Sequence, residues 1–219
     1  MWRPPPRRPQ ESEGRIHVQG IIQALQEIWW VPVPRMPEEK VGGVCKIMII
    51  TVGGCAGSGT TTLCRKIAQH FNLTHVYAGK IFRDMASASG MSLQEFSEKA
   101  ETDETIDLAV DQEQKRLAVD GSVVEGRITA YLVDADMKIW LTAPLPIRAD
   151  RISRRETIPR EEALEKITER EASEKKRYHA YYQIDIDDLT PYDLILNTAL
   201  WDAEGVFHIV KNALEVRKW

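Results

Sequence analysis

Ten consecutive residues, Gly53-Gly54-Cys55-Ala56-Gly57-Ser58-Gly59-Thr60-Thr61-Thr62, have the composition and spacing to cradle a phosphate. Glycine admits positive φ and close backbone approach, so successive N–H groups can turn inward on an anion, and a following helix adds its positive dipole end. Against the pattern G-x-x-x-x-G-K-S/T, Gly54 and Gly59 keep the spacing and Thr61 offers the hydroxyl that ligates Mg2+. Thr60 stands where the lysine belongs. That ammonium normally reaches the β- and γ-phosphates as a point charge, so another cation has to supply it.

Other residues could supply it or hold a second anion. Gly79, Lys80 and Arg83 follow a short apolar run, which puts a glycine turn, a helix start and a guanidinium beside the phosphate loop. Taken alone, Arg83 reads equally well as a solvated surface arginine. Glu125-Gly126-Arg127 ends another apolar run, where the carboxylate can hold a water of Mg2+ and Arg127 can hold an acceptor phosphate. The competing reading pairs Arg127 with a nearby acid. Arg148, Arg151, Arg154 and Arg155 form a cluster in which Arg151 and Arg155 share a helical face, as do Arg170 and Arg177 on a later helix. Their interleaved acids, Asp150, Glu156, Glu169, Glu171 and Glu174, also fit a salt-bridged solvated surface. The five histidines show no ligand spacing, and Asp185, Asp187 and Asp188 lack the glycine and closing glutamate of a calcium loop. Cys55 has no base beside it in sequence and reads as filler.

These residues need a scaffold that brings loop ends together. From residue 46 onward, apolar runs alternate with helical patterns: KIMIITV (46–52), then Thr61–Phe71; THVYA, then Lys80–Ser89; SVVEG; MKIWL, then Pro146–Glu156; DLILN, then Ala203–Val216. The runs are too uniformly apolar for half-exposed strands, and Leu63, Ile67 and Phe71 recur on one helical face, so a parallel sheet covered on both sides is expected. Ser92 and Glu95 form a capping box, Asp103 starts a helix running to about Val119, and 161–179 should be one long exposed helix.

The chain has 219 residues, 43% apolar and 28% charged, enough for one core of ordinary globular kind. Seven of the eleven prolines fall in the first forty residues, so residues 1–45 are expected to be a flexible extension, or sequence upstream of a true start at Met48, with one domain over 46–219. The longest apolar run, Ile47 to Val52, is far short of the ~20 residues that span a bilayer. A net charge of −4 argues against nucleic-acid binding, which only the basic Arg3–Arg8 segment would favour. Three cysteines without framework or metal spacing, and no signal-peptide core, point to a reducing cytoplasm.

Several stretches together resemble the nucleoside monophosphate kinases, specifically the archaeal type of cytidylate kinase: GGCAGSGTTT, YAGKIFRDMASASGMSLQEFSEKAE, IDLAVDQEQ, VVEGRITAYLVDADMKIWLTAPLPIRADRISRRE and EREASEKKRYHAYYQIDIDDLTPYDLILNT. The likeness runs from about Met48 to the C-terminus, and G-T-T-T is similar to the form of the loop in some archaeal members. It implies an α/β P-loop kinase fold, with a five-stranded parallel sheet flanked by helices, an acceptor-binding insertion and a mobile lid. It further implies ATP bound by Gly54, Cys55, Ala56, Gly57, Ser58, Gly59, Thr60, Thr61 and Thr62, with Mg2+ near Thr61 and Glu125. Gly79, Arg83 and Arg127 would hold the phosphate of CMP or dCMP, with Asp107 and Asp111 as further acceptor contacts. Arg151 and Arg155 would belong to the lid. Arg170, Glu174 and Arg177 look like an R-D/E-x-x-D/E-x-x-R element that closes on the nucleotides. A monomer acting on small molecules, without nucleic acid or membrane, is expected. Kinases of the same fold with another acceptor (AMP, UMP or a non-nucleotide alcohol), and a non-catalytic nucleotide-binding module, remain compatible with a loop that lacks its lysine.

Overall fold

The computed structural model describes residues 48–100 and 102–217. The N-terminal extension, with Cys45, and the first two residues of the first expected strand lie outside the described residues.

Five strands, β1 (Ile49–Gly54), β2 (Thr74–Tyr77), β3 (Ser122–Glu125), β4 (Met137–Thr142) and β5 (Leu194–Asn197), form one sheet in the order β2-β3-β1-β4-β5. Every pairing is parallel. Parallel strands require crossovers, and seven helices lie in them among the described residues: α1 (Thr60–Phe71), α2 (Ala78–Ala88), α3 (Leu93–Ala100), α4 (Glu104–Leu117), α5 (Thr129–Leu132), α6 (Leu145–Glu156) and α7 (Arg160–Tyr182), with α8 (Ala203–Val216) following the last strand. The flanked parallel sheet expected from the alternation is thus present.

Both faces of the sheet are covered, which explains the uninterrupted apolar strands. On one side Ile50, Val52, Val123, Ile139 and Leu141 pack with Leu63, Cys64 and Ile67 of α1 and Val206, Phe207, Val210 and Leu214 of α8. On the other, Val76 and Val124 pack with Ile81 and Met85 of α2, Phe96 of α3 and Ile106, Ala109 and Val110 of α4. A smaller cluster, Ala149, Ile152, Ala163 and Ile167, joins α6 to α7.

Local signals placed most helix starts. The Ser92 hydroxyl accepts from Glu95 N (3.2 Å) while Glu95 accepts from Ser92 N (2.8 Å), and Asp103 accepts from Thr105 N (3.1 Å) at the head of α4. Several boundaries differ from expectation. β1 continues through Gly53 and Gly54, paired with Trp140 and Leu141, so the first loop glycines are strand residues. α2 starts at Ala78, which puts Gly79 inside its first turn and not in a turn before it. α4 stops at Leu117, short of Val119. α7 is a single helix of 23 residues, longer than expected, and not wholly exposed, because Ala163, Ile167 and Glu174 are buried.

Candidate active site

In a parallel sheet all strands end at one edge, and ligands of open α/β sheets bind there. At this edge β1 runs into the phosphate loop, and Tyr77 of β2 lies in register with Glu125 of β3. The loop's glycines are sterically required. A Cβ on Gly54 would stand 2.5 Å from the Leu141 carbonyl oxygen, and one on Gly57 would stand 2.8 Å from that of Arg148. Gly57 and Gly59 take φ of 81° and 102°, in the left-handed region. α1 begins immediately after, at Thr60.

Three arginines fasten the loop by its carbonyl oxygens. Arg127, just past β3, donates to Gly54 O at 2.9 Å; Arg148 donates to Ala56 O at 3.1 Å; Arg151 donates to Gly57 O at 3.3 Å. The loop is further fixed by its own N–H groups, since Cys55 N donates to Leu141 O at 3.1 Å and Ser58 N to Cys55 O at 3.0 Å. Arg151 is anchored by Thr198, through the hydroxyl and the carbonyl, both at 2.8 Å. Arg148 also donates to Ala143 O at 2.9 Å and forks onto Glu171 at 2.9 and 3.3 Å. Glu171 reaches Arg127 as well, at 3.5 Å, and Arg127 Nε lies 3.5 Å from Glu174. Trp140 lies under the Arg127 guanidinium, 5.3 Å from ring centroid to Cζ.

Thr61 and Glu125 come together: the Thr61 hydroxyl donates to Glu125 Oε1 at 2.5 Å, and the Thr60 hydroxyl donates to the same oxygen at 3.0 Å. His75 meets Oε2 at 2.9 Å, and Gln114 Nε2 donates to the Glu125 carbonyl at 2.6 Å. Burial alone would raise the Glu125 carboxyl. The hydrogen bonds from His75, Thr61 and Thr60, with the attraction of His75, outweigh it and hold the carboxyl below its ordinary value. A threonine hydroxyl beside an ionised carboxylate is a hard oxygen donor set that suits Mg2+. Burial, then the Glu125 charge, push the nearby Cys64 thiol well up.

Farther out, Arg83 stacks on Tyr77, with Cζ 5.4 Å from the ring centroid, and donates to its hydroxyl. Gly79 leaves room for that pair, since a Cβ there would lie 3.3 Å from the Tyr77 ring. Arg177 of α7 pairs with Asp107 of α4, and one turn along each helix Tyr182 donates to Asp111 at 2.5 Å. Burial foremost, and the neighbouring Asp107 charge, raise the Asp111 carboxyl to about 6 against the pull of Tyr182 and Arg177.

Of the residues singled out from sequence, the structure gathers Gly54–Thr62, Glu125, Arg127, Arg151 and Glu174 around the loop, and sets Asp107, Asp111 and Arg177 together between α4 and α7. Arg155 is apart from both groups, 64% exposed and paired with Glu156. Arg170 is 67% exposed and reaches inward only through Glu174, at 2.7 Å. Sequence reasoning passed over Arg148 as a single residue, along with Glu171, His75 and Gln114. Arg148 had a signal, since it shares a helical face with Arg151 at i, i+3. His75 had none, because its meeting with Glu125 depends on the order of strands.

Known proteins agree with this architecture. The chain matches the Cytidylate kinase-like family over residues 49–200. It is 52% identical over 174 residues to a cytidylate kinase of Methanocaldococcus jannaschii, covering 77% of this chain and 98% of that protein. It is 53% identical over 182 residues to a cytidylate kinase of Pyrococcus horikoshii, covering 82% and 91%. Among solved structures, shikimate kinase from Acinetobacter baumannii in complex with shikimate superposes with a TM-score of 0.52 at 16% identity, over 75% of this chain and 91% of that one; at that identity it speaks for the fold alone. With a family match over most of its length and relatives above half identity, the chain belongs to the cytidylate kinase-like family.

Proposed function

We propose that this protein transfers the γ-phosphoryl group of ATP to CMP or dCMP, giving ADP and CDP or dCDP. The observation that carries the reading is the continuous polar chain from the phosphate loop through Arg127 to Glu171 and Glu174 of α7, and along α7 through Arg177 to Asp107 of α4. It joins a cradle for one nucleotide to the polar contact between α4 and α7, beside which a second would bind.

In the reaction, an oxygen of the acceptor's phosphate attacks the γ-phosphorus in line, forming one P–O bond as the bond to the β–γ bridging oxygen breaks and ADP leaves. A phosphate monoester is already an anion near neutral pH, so no strong base is needed, and the protein's work is positioning and charge neutralisation. The loop amides hold the β- and γ-phosphates. Arg127 and Arg151, both bonded to the loop, supply the positive charge that Thr60 does not, Arg148 braces the loop through Ala56 O and Glu171, and Arg127 with Arg83 and Gly79 receives the acceptor phosphate. Thr61 and Glu125 would hold Mg2+, which when bound supplies further neutralisation of phosphate oxygens. Asp107 and Asp111 contact the acceptor. The α6–α7 hairpin is the lid, and its closure brings Arg155, Arg170 and Arg177 toward the phosphates and excludes water.

The kinase domain occupies 46–219, with 1–45 as an extension; the family match starting at residue 49 supports that division. Among the described residues no helix is long and apolar enough to cross a membrane. The net charge of −4 and the cysteine pattern support a cytoplasmic monomer that works on small molecules without nucleic acid.

The test is ADP release with ATP and Mg2+ as CMP, dCMP, UMP, AMP and GMP are presented in turn. Selective turnover with CMP or dCMP is expected; ATP binding without transfer to any of them would overturn the reading.

A further inference from the structure

Behind the phosphate loop, three chemically distinct donors from three elements converge. Cys64 lies one helical turn below Thr60 and Thr61 on α1, His75 is on β2, and Glu125 ends β3. The Cys64 Sγ, a His75 ring nitrogen and a Glu125 carboxylate oxygen all lie within 4.8 Å of one another. The Cys64 side chain is wholly buried, and those of His75 and Glu125 are 15% and 13% exposed.

We infer that Cys64, His75 and Glu125 form a binding site for one soft divalent transition metal of the Zn2+ class, and that its occupation inhibits the enzyme by drawing Glu125 away from Thr60 and Thr61. A thiolate, an imidazole and a carboxylate are the donor types that favour Zn2+ over Mg2+, which takes oxygens. With metal–ligand bonds of about 2.0–2.3 Å, neighbouring tetrahedral donors stand about 3.3–3.8 Å apart, so side-chain adjustments of about 1 Å close this cluster. Three protein donors leave the fourth position to water. On binding, the Cys64 thiol releases its proton to solvent and His75 carries its proton on the ring nitrogen that does not bind the metal; Glu125 is already ionised. The carboxylate oxygens that meet Thr61, Thr60 and His75 are those a metal would take. The inhibitory half of the inference rests on the kinase reading; the metal site does not.

The test uses the full chain with Co2+ alone and no nucleotide. A thiolate-to-cobalt absorption band at one ion per chain is expected, retained in Cys55→Ala, lost in Cys64→Ala and shifted or lost in His75→Ala. Absence of the band, or its survival in both Cys64→Ala and His75→Ala, would overturn the site. In the ADP-release assay, turnover of the unmodified protein should fall in proportion to bound Zn2+, while Cys64→Ala keeps its Mg2+-supported turnover and ignores zinc at the same concentration. Full turnover with zinc bound would overturn the inhibition and leave the site standing. No turnover with any acceptor in the absence of zinc would count against the kinase reading only, since the cobalt band is read without nucleotide.

Discussion

Arg127 Nη1 donates to the carbonyl oxygen of Gly54 at 2.9 Å, so the side chain following β3 buttresses the backbone where β1 becomes the phosphate loop. The same guanidinium faces Glu171 and Glu174, both on α7. Arg127→Ala should therefore cut turnover by ~10²-fold or more, comparable to loss of a preorganised transition-state donor. Circular dichroism should show the fold retained, and Arg127→Lys should restore little, because one ammonium cannot reproduce the fork. A near-normal kcat in Arg127→Ala would remove it from the reaction.

Arg148 is a different case, because its guanidinium is buried and every contact it makes is internal. Truncation to alanine leaves two carbonyl oxygens, those of Ala56 and Ala143, without this donor and takes from Glu171 its nearer partner. Each buried acceptor left without its donor costs about 1–3 kcal/mol. The urea midpoint of Arg148→Ala should drop accordingly, well below that of Arg155→Ala, whose side chain is exposed.

Gly54→Ala introduces a Cβ 2.5 Å from the Leu141 carbonyl, where neither backbone can easily retreat. Overpacking should destabilise the protein by about 1–3 kcal/mol. Displacement of the loop should also abolish ATP binding, as calorimetric titration would show; unchanged affinity would mean that the loop tolerates the shift.

Asp111 should make stability fall as pH rises. Its carboxyl titrates at about 6 in the folded chain, against an ordinary 3.8. The folded state binds more protons between those values, so the stabilising effect of protonation is complete below the lower one and is lost as pH climbs through the upper. Asp111→Asn cannot ionise and should gain on the unmodified protein as pH rises from 4 to 7, by on the order of 2 kcal/mol. Parallel thermal melts across that range would check it; curves that keep a constant separation would exclude the linkage.

The phosphate loop was legible because its chemistry is local: strand, glycines, threonine and helix follow one another in the chain. Alternation likewise announced a parallel sheet, since buried strands leave an apolar run wherever they occur. The partners of Glu125 were not legible. His75 is fifty residues away and meets it only because β2 and β3 are neighbours in register, and Gln114 reaches its carbonyl from α4. Charge runs misled for a related reason. Glu171 and Glu174 sit in a pattern that reads as solvated, yet helix α7 rotates them onto Arg148 and Arg127. Arg155, chosen for sharing a face with Arg151, falls one turn too far along α6 to reach the loop.

The length of α7 has a consequence for how two substrates sense each other. Twenty-three residues at about 1.5 Å each make a stiff rod of about 34 Å, touching the arginines at the phosphate loop through Glu171 and Glu174 and helix α4 through Arg177 and Tyr182. On the kinase reading, a rod gripped at several points would act as a lever, so binding of one nucleotide is expected to change the affinity for the other. Thermodynamic reciprocity would then make the effect equal in both directions.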